Sequence, residues 1–218
     1  MEIDFATVAT QVVRLFSQSV GGNSQRGMLT WGAEGSDQPG QFFSRVAHFP
    51  GGASGVTIGR GYDMKLRSRT EVLTDLTASG VPQELAFQLS NGAGLYGERA
   101  ATFTKQLRET LPPISVEAER KLFFDRTYPF YVADTKRIFE KPSVQAKYGR
   151  ATWDSLDGRI QDLLVDLRYR GDYTPKTRAL VQRLAAQNDV AGLADVMSNR
   201  SLWPQVPLDR FRRRAEWL

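Results

Sequence analysis

Positions 31 to 64 read WGAEGSDQPGQFFSRVAHFPGGASGVTIGRGYDM, and six glycines fall between 32 and 55. Glycine loses more backbone freedom on folding than any other residue, so a stretch this rich in it is costly. Such a cost is tolerated where the chain turns tightly or where something must approach the backbone closely. The segment therefore predicts a compact turn-and-hairpin unit around which the remaining chain is arranged. Residues 42 to 49 and 55 to 59 read as two strands joined by the loop PGGASG. Glu34 sits in a glycine-flanked turn before them, and Thr57 and Asp63 lie at their end. Two carboxyl groups and a hydroxyl on one glycine scaffold suggest acid/base chemistry on a polymer.

The flanking sequence is helical. Asp4 is a good N-cap for a helix through about Gln18, with Phe5, Val8, Val12, Val13 and Phe16 on one face. A short helix or turn over Gln25 to Ala33 delivers Glu34 at its C-terminal end. Ser68-Arg69-Thr70-Glu71 reads as a capping box opening a helix that Gly80 stops. Pro82 opens a segment ending at Asn91-Gly92, and a longer helix runs from about Gly97 to Leu111. Ser115 caps a helix through Arg126, Pro129 starts another, and Pro142 closes it. Thr152 caps an apolar helix with Leu156, Ile160, Leu163, Leu164 and Leu167, which reads as the central core helix. Further helices open at Thr174-Pro175 and Asp189, and the last spans Leu208 to Trp217.

These elements predict an α+β fold, predominantly helical. A small lobe covers about 25–66 and a larger helical lobe about 67–218, with the helix over 4–18 packed on the latter. A site in the cleft between the lobes is the default expectation. At 218 residues, 41% hydrophobic and 24% charged, the chain is long enough for one domain of this kind. No apolar run approaches the ~20 residues needed to span a bilayer, and the N-terminus lacks the features of a signal peptide.

Cysteine is absent and His48 is the lone histidine, which excludes disulfides and thiolate metal sites and argues against a histidine metal cluster. No cofactor and no metal are expected. The net charge of +5 favours an anionic partner, although it also suits a soluble protein held away from its isoelectric point. Nothing in the chain resembles a nucleic-acid reading helix or aromatic platform. Gly59-Arg60-Gly61 lacks the third glycine of a dinucleotide loop, so phosphate cradling is rejected.

Glycosidic hydrolysis needs one carboxylic acid to protonate the leaving oxygen and a second group to activate water or attack the sugar. Glu34 suits the acid if the cleft partly desolvates it. Thr57 and Asp63 lie six residues apart, an even spacing that places both on one face of an extended strand, although Gly59 and Gly61 weaken that geometry. Taken alone, each is more commonly structural or solvated.

Glu34-Gly35, then a glycine-rich hairpin, then Thr57-Ile58-Gly59-x-Gly61 resembles the E-G…T-I-G-x-G core of phage-type lysozymes (muramidases). The longer Glu-to-Thr interval and the ending T-I-G-x-G-Y-D are similar to the pesticin-like branch, the muramidase domains of bacteriocins and antibacterial effectors. Thr152 to Asp157 and Arg170-Gly171 resemble the two ends of that family's central helix. Ser201-Leu202-Trp203-Pro204-Gln205-Val206-Pro207 and the basic helix after it resemble its close; residues 80 to 150 match nothing.

The resemblance implies a lysozyme-like fold, with Glu34 as acid, Thr57 as the water-positioning hydroxyl and Asp63 as the second carboxylate. Asp37, three residues from Glu34, is the alternative for that last role. Gln205, Tyr62 and Arg170 are the substrate-binding residues it suggests. Cleavage would fall on the β-1,4 bond between N-acetylmuramic acid and N-acetylglucosamine, with inversion and carboxyls ~6.5–9.5 Å apart. The implied partners are peptidoglycan strands and an immunity protein plugging the cleft. With no signal peptide, the implied route is synthesis in the cytoplasm and delivery to a target cell wall by a secretion apparatus or phage lysis. An inactive wall-binding module and a chitin or chitosan hydrolase are the alternatives.

The remaining candidates read as structural. His48 is expected to be a hydrogen-bonded strand residue, and Tyr128, Phe130 and Tyr131 to be core. Arg210, Arg212, Arg213 and Arg214 form either a solvated helix face or, through Arg210, a partner for Glu34. Such a partner would orient the acid while lowering its pKa.

Overall fold

The computed structural model describes residues 26–40 and 43–218 of the chain. The helix expected over 4–18 and the first residue of the strand expected over 42–49 lie outside the described residues. The first described helix, α1 (Met28–Ala33), buries Leu29 and Trp31 and ends at Glu34, whose extended backbone breaks the helix. That is the delivery of Glu34 the sequence predicts.

The hairpin differs from its expected form. Instead of strands over 42–49 and 55–59, the ladder is β1 (Thr57–Ile58) against β2 (Tyr62–Asp63), antiparallel, with Thr57 opposite Asp63 and Ile58 opposite Tyr62. Gly59 and Gly61 take φ of +60° and +84°, the left-handed region that glycine enters freely, and so the chain reverses within three residues. The PGGASG connection survives only as a single bridge. His48 and Thr57 exchange backbone hydrogen bonds of 2.8 and 2.9 Å across it.

The helices then follow in chain order. They are α2 (Arg69–Ala78), α3 (Gln83–Ser90), α4 (Glu98–Thr110), α5 (Val116–Leu122) and α6 (Tyr128–Phe139), then α7 (Pro142–Tyr148) and α8 (Gly158–Arg170). The series closes with α9 (Pro175–Ala186), α10 (Val190–Ser198) and α11 (Leu208–Trp217). The architecture is thus α+β and predominantly helical. Ser68 accepts from the Glu71 amide at the start of α2, but Glu71 pairs with Arg67, so only half of the expected capping box forms. Thr174 and Thr177 cap α9 reciprocally.

Three helix boundaries move. α5 and α6 form one continuous run through a π turn at Phe123–Thr127. Pro129 inside α6 has no N–H to offer the carbonyl four residues back, which explains why the run widens there instead of breaking. Pro142 opens α7 rather than merely closing α6, and its fixed φ suits a first helical position. The central helix α8 is capped by Asp157, which accepts from the Arg159 amide; Thr152 instead precedes a short 3-10 turn at Trp153–Ser155.

Two apolar clusters divide the molecule. One gathers Val56, Ile58, Met64, Val72, Leu76 and Leu122 from the hairpin and α2 to α5. The other gathers Leu29, Trp31, Phe123, Ile160, Leu163 and Leu164 around α8. The division falls between Leu122 and Phe123 rather than at residue 66, and α1 packs with the second cluster. The helix run 116–139 spans both, and the helix that ends at Glu34 packs with one cluster while the hairpin packs with the other. Among the described residues no helix is long and apolar enough to cross a membrane.

Candidate active site

Glu34, Thr57, Gly59 and Arg60 line a cavity of about 500 Å³. A second cavity of about 300 Å³ is lined by Asp63, Lys65, Leu66, Phe130 and Tyr131. Gly61 lines both, so the tip of the hairpin joins the two spaces. The sequence expected Thr57 and Asp63 on one extended strand. They instead stand opposite each other across the ladder, and directly opposed residues of an antiparallel pair project to the same face.

Asp63 is fixed by its own backbone surroundings. Its Oδ1 accepts from the Lys65 amide at 2.7 Å and its Oδ2 from the Gly55 amide at 3.2 Å. A Cβ on Gly55 would come within 2.5 Å of Oδ1, so only glycine permits this approach. Thr57 is buried, and its hydroxyl makes only a long 3.4 Å bond, to the Gly55 carbonyl.

Burial raises the pKa of Glu34; Arg210, which donates from Nη1 to its Oε1, acts in the opposite direction without cancelling the rise. Arg210 also binds Asp166, fully buried on α8, through Nη2 at 2.6 Å and Nε at 3.2 Å. Arg214 donates to Asp166 at 2.6 Å and to Asp172 at 2.8 Å. The reading of Arg210 to Arg214 as a solvated face is thereby corrected for two members. Arg210 and Arg214 are buried because α8 presents a carboxylate that must be neutralised.

The other sequence candidates separate. Asp37 binds the Arg60 guanidinium at 3.1 Å; burial pushes its pKa up, but the contact with Glu119 and the charges of Arg60 and Arg45 outweigh it and hold the pKa low. It is therefore paired with Arg60, with its side chain still partly open to solvent. Tyr62, expected to bind substrate, is 1% exposed with its hydroxyl donating to Asp75 at 2.7 Å. It braces the hairpin from within, and no face of it is open to a ligand. Arg170 donates to Asp172 at 2.6 Å and to the Gln205 carbonyl at 2.8 Å, which ties the exposed Gln205 to the end of α8.

His48 is the structural histidine expected, its Nδ1 3.0 Å from the Val46 carbonyl, and burial lowers its pKa. Tyr128 is core, donating to Asp162 at 2.5 Å, whereas Phe130 is 56% exposed.

Two neighbours of the candidate carboxylates go beyond the sequence reading, which takes Tyr131 as core and does not single out Asp166. Tyr131 has a pKa raised mainly by burial, with the charges of Asp63 and Glu34 adding to the rise, so its hydroxyl feels both candidate carboxylates. Asp166 was hidden among the leucines of α8. The available signal was an acidic residue recurring at 162 and 166 on an otherwise buried helix face. No group of three or more metal-ligating acidic, histidine or cysteine side chains occurs among the described residues.

The model of a domain of unknown function, DUF8812, matches residues 27–215, and the chain belongs to that family. A search of curated proteins finds no match.

Proposed function

We propose that this DUF8812 member is a peptidoglycan hydrolase with a lysozyme-like arrangement, a muramidase cleaving between N-acetylmuramic acid and N-acetylglucosamine. The observation that carries the reading is the pairing of a desolvated acid, Glu34, with the opposed Thr57 and Asp63 across one hairpin tip. A carboxyl group whose pKa is raised by burial holds its proton more readily and can donate it to the glycosidic oxygen as the bond breaks. On the other face of the sugar, Asp63 accepts a proton from water while the Thr57 hydroxyl orients that water. The water oxygen then bonds to the anomeric carbon, with inversion.

The basic balance of the chain suits a polymer bearing carboxylates. Delivery to a cell wall and restraint by a cleft-plugging immunity protein belong to the same reading. A second reading has one specific observation in its favour: Arg210 sits directly on Glu34 and favours its ionised form. A chain in which that contact prevails is a wall-binding module without turnover.

Incubating the purified protein with peptidoglycan, beside Glu34→Gln and Asp63→Asn, decides between them. Products with reducing N-acetylmuramic acid ends, lost in both variants, support the muramidase. Co-sedimentation with cell wall but no products supports the binding module. Release from chitin alone moves the substrate.

A further inference from the structure

Arg60 occupies the variable position of the Thr57-Ile58-Gly59-x-Gly61 stretch, and it is buried although charged. Its Nη1 donates to the carbonyls of Trp31 and of Glu34, the latter at 2.7 Å. Its Nη2 donates to Asp37 at 3.1 Å, and the guanidinium lies over the Trp31 ring, 3.9 Å from the centroid. The backbone carbonyl of Arg60 accepts from the Tyr169 hydroxyl on α8. One residue of the hairpin lobe is thus fastened to α1 by its side chain and to α8 by its backbone.

Behind the turn lies Glu119 of α5, fully buried. Its carboxyl oxygens make no well-formed hydrogen bond, nor does the Nε of Arg60, although Ser44 and Asp37 stand close enough to Glu119 to influence its protonation. The two groups meet at 3.8 Å, Oε2 to Nε. A Cβ on Gly59 would lie 3.5 Å from Glu119 Cγ, so the acid sits against the turn itself. The charged and polar groups facing it are Arg60 from the turn and Asp37 and Ser44 from the preceding loop. Burial raises its pKa to about 7, which leaves a neutral carboxyl in mildly acid solution.

Buried polar atoms without partners cost free energy, and the acid–base chemistry uses none of them. What they do accomplish is geometric. Trp31 belongs to the cluster around α8, and Glu34 follows it at the end of α1, whereas Ile58 belongs to the other cluster with Thr57 beside it in β1. Arg60 crosses from one to the other at the floor of the cleft. A planar guanidinium reaches two carbonyls and a carboxylate at once, which a lysine ammonium cannot match in a single geometry.

We propose that Arg60, seated by Glu119, is a positioning residue that fixes the backbone of Glu34 against the hairpin carrying Thr57 and Asp63. The catalytic part of this inference rests on the peptidoglycan-hydrolase reading; the clamp itself does not.

The test compares wild type with Arg60→Lys, Arg60→Met, Glu119→Gln and Glu119→Leu. It measures kcat and KM on solubilised peptidoglycan and amide hydrogen exchange across residues 31–37, 57–63 and α8. Arg60→Lys is expected to lower kcat at least ~10-fold with KM within ~2-fold, because misplacement of reacting groups acts on the chemical step. Exchange over 31–37 and 57–63 should speed up at least ~10-fold while α8 is unchanged. Glu119→Gln, shaped like the neutral acid, should stay within ~3-fold of wild-type kcat, and Glu119→Leu should resemble Arg60→Lys.

Wild-type kcat and exchange in Arg60→Lys would overturn the proposal, as would faster exchange spread equally over α8. Should Arg60→Met fail to fold, Arg60→Lys carries the comparison. Should the wild type itself turn over no wall, the hydrolase reading fails, and the clamp is judged on exchange alone. Acceleration confined to the two segments supports it, and unchanged exchange overturns it.

Discussion

Arg210 divides one guanidinium between Glu34 and Asp166, with Nη1 on the former and Nη2 and Nε on the latter. The candidate acid is therefore anchored to the central helix through a cation that itself needs Asp166 to be buried at all. Burial and Arg210 pull the Glu34 pKa in opposite directions, and burial prevails. The same contact that aims the carboxyl thus makes it need a more acidic solution to stay protonated than burial alone would require.

Replacing Arg210 with Met removes the lowering influence and leaves the raising one, so the Glu34 pKa should climb further. In a pH profile of kcat/KM the alkaline limb, where the general acid loses its proton, should move to higher pH. The maximum itself should fall, because the carboxyl loses its orienting partner. Unfolding in urea should show a loss of about 3 kcal/mol, since Asp166 keeps Arg214 and is only partly abandoned. An alkaline limb at its wild-type position would mean that Glu34 is not the titrating acid.

Asp166→Asn strikes the other end. Arg210 and Arg214 are both buried, and without the Asp166 carboxylate Arg210 keeps Glu34 and Arg214 keeps Asp172 as counter-ion, beside long bonds to the Asp166 carbonyl. Uncompensated buried charge is among the larger penalties a single substitution brings, so a loss of about 3–5 kcal/mol is expected. Chemical denaturation measures it. A change below about 1 kcal/mol would show that water reaches these arginines more readily than their burial implies.

The sequence made some of this legible and concealed the rest for identifiable reasons. Glu34 at the end of a short helix, the cap at Thr174 and the bounds of α11 follow from local signals, and local signals are what a single sequence carries best. The hairpin was misplaced because Phe42-to-Phe49 alternates like a strand. The turn at Gly59-Arg60-Gly61 sets the real ladder, and in the sequence its two glycines show as a weakness in an extended strand without announcing the reversal. The resemblance suggests Tyr62 as substrate-binding, yet a strand alternates its faces, and the neighbour of an outward residue points into the core. Asp166, Arg214 and Glu119 are buried charges, and burial of a charge depends on partners 40 or more residues away that no local pattern announces.

Gly61→Ala tests the hairpin tip. The residue has φ +84°, and an added Cβ would stand 1.9 Å from the Tyr169 hydroxyl, a side chain of the central helix whose own hydroxyl is already committed to Arg60. Strain and collision act together, so a loss of about 2–4 kcal/mol and severely reduced turnover are expected. Gly94→Ala is the matched control, with φ +74° and open space around its Cβ. It should cost about 1 kcal/mol and leave turnover intact. Equal effects in both variants would show that the Tyr169 contact does not hold the tip.

Glu119→Gln makes a prediction whose sign depends on pH. The Glu119 pKa rises from 4.5 to about 7 on folding, chiefly by burial. The folded state then binds more protons than the unfolded state between those values, and stability conferred by the protonated acid is present below 4.5 and lost as pH rises through 7. Gln carries no such proton and suffers no such loss. The variant should therefore gain on wild type from pH 4.5 to 7 and hold its advantage above, by at most about 3 kcal/mol. For a chain of this size that corresponds to a rise of several degrees in the Tm difference, at ~2–4 °C per kcal/mol. Glu34 shifts in the same direction, but it is common to both proteins and cancels in the difference. Thermal melts at intervals from pH 4 to 8 read the effect directly. A Tm difference that stays flat across that range would mean that Glu119 is ionised in the fold, with Arg60 as a full counter-ion rather than a neighbour at 3.8 Å.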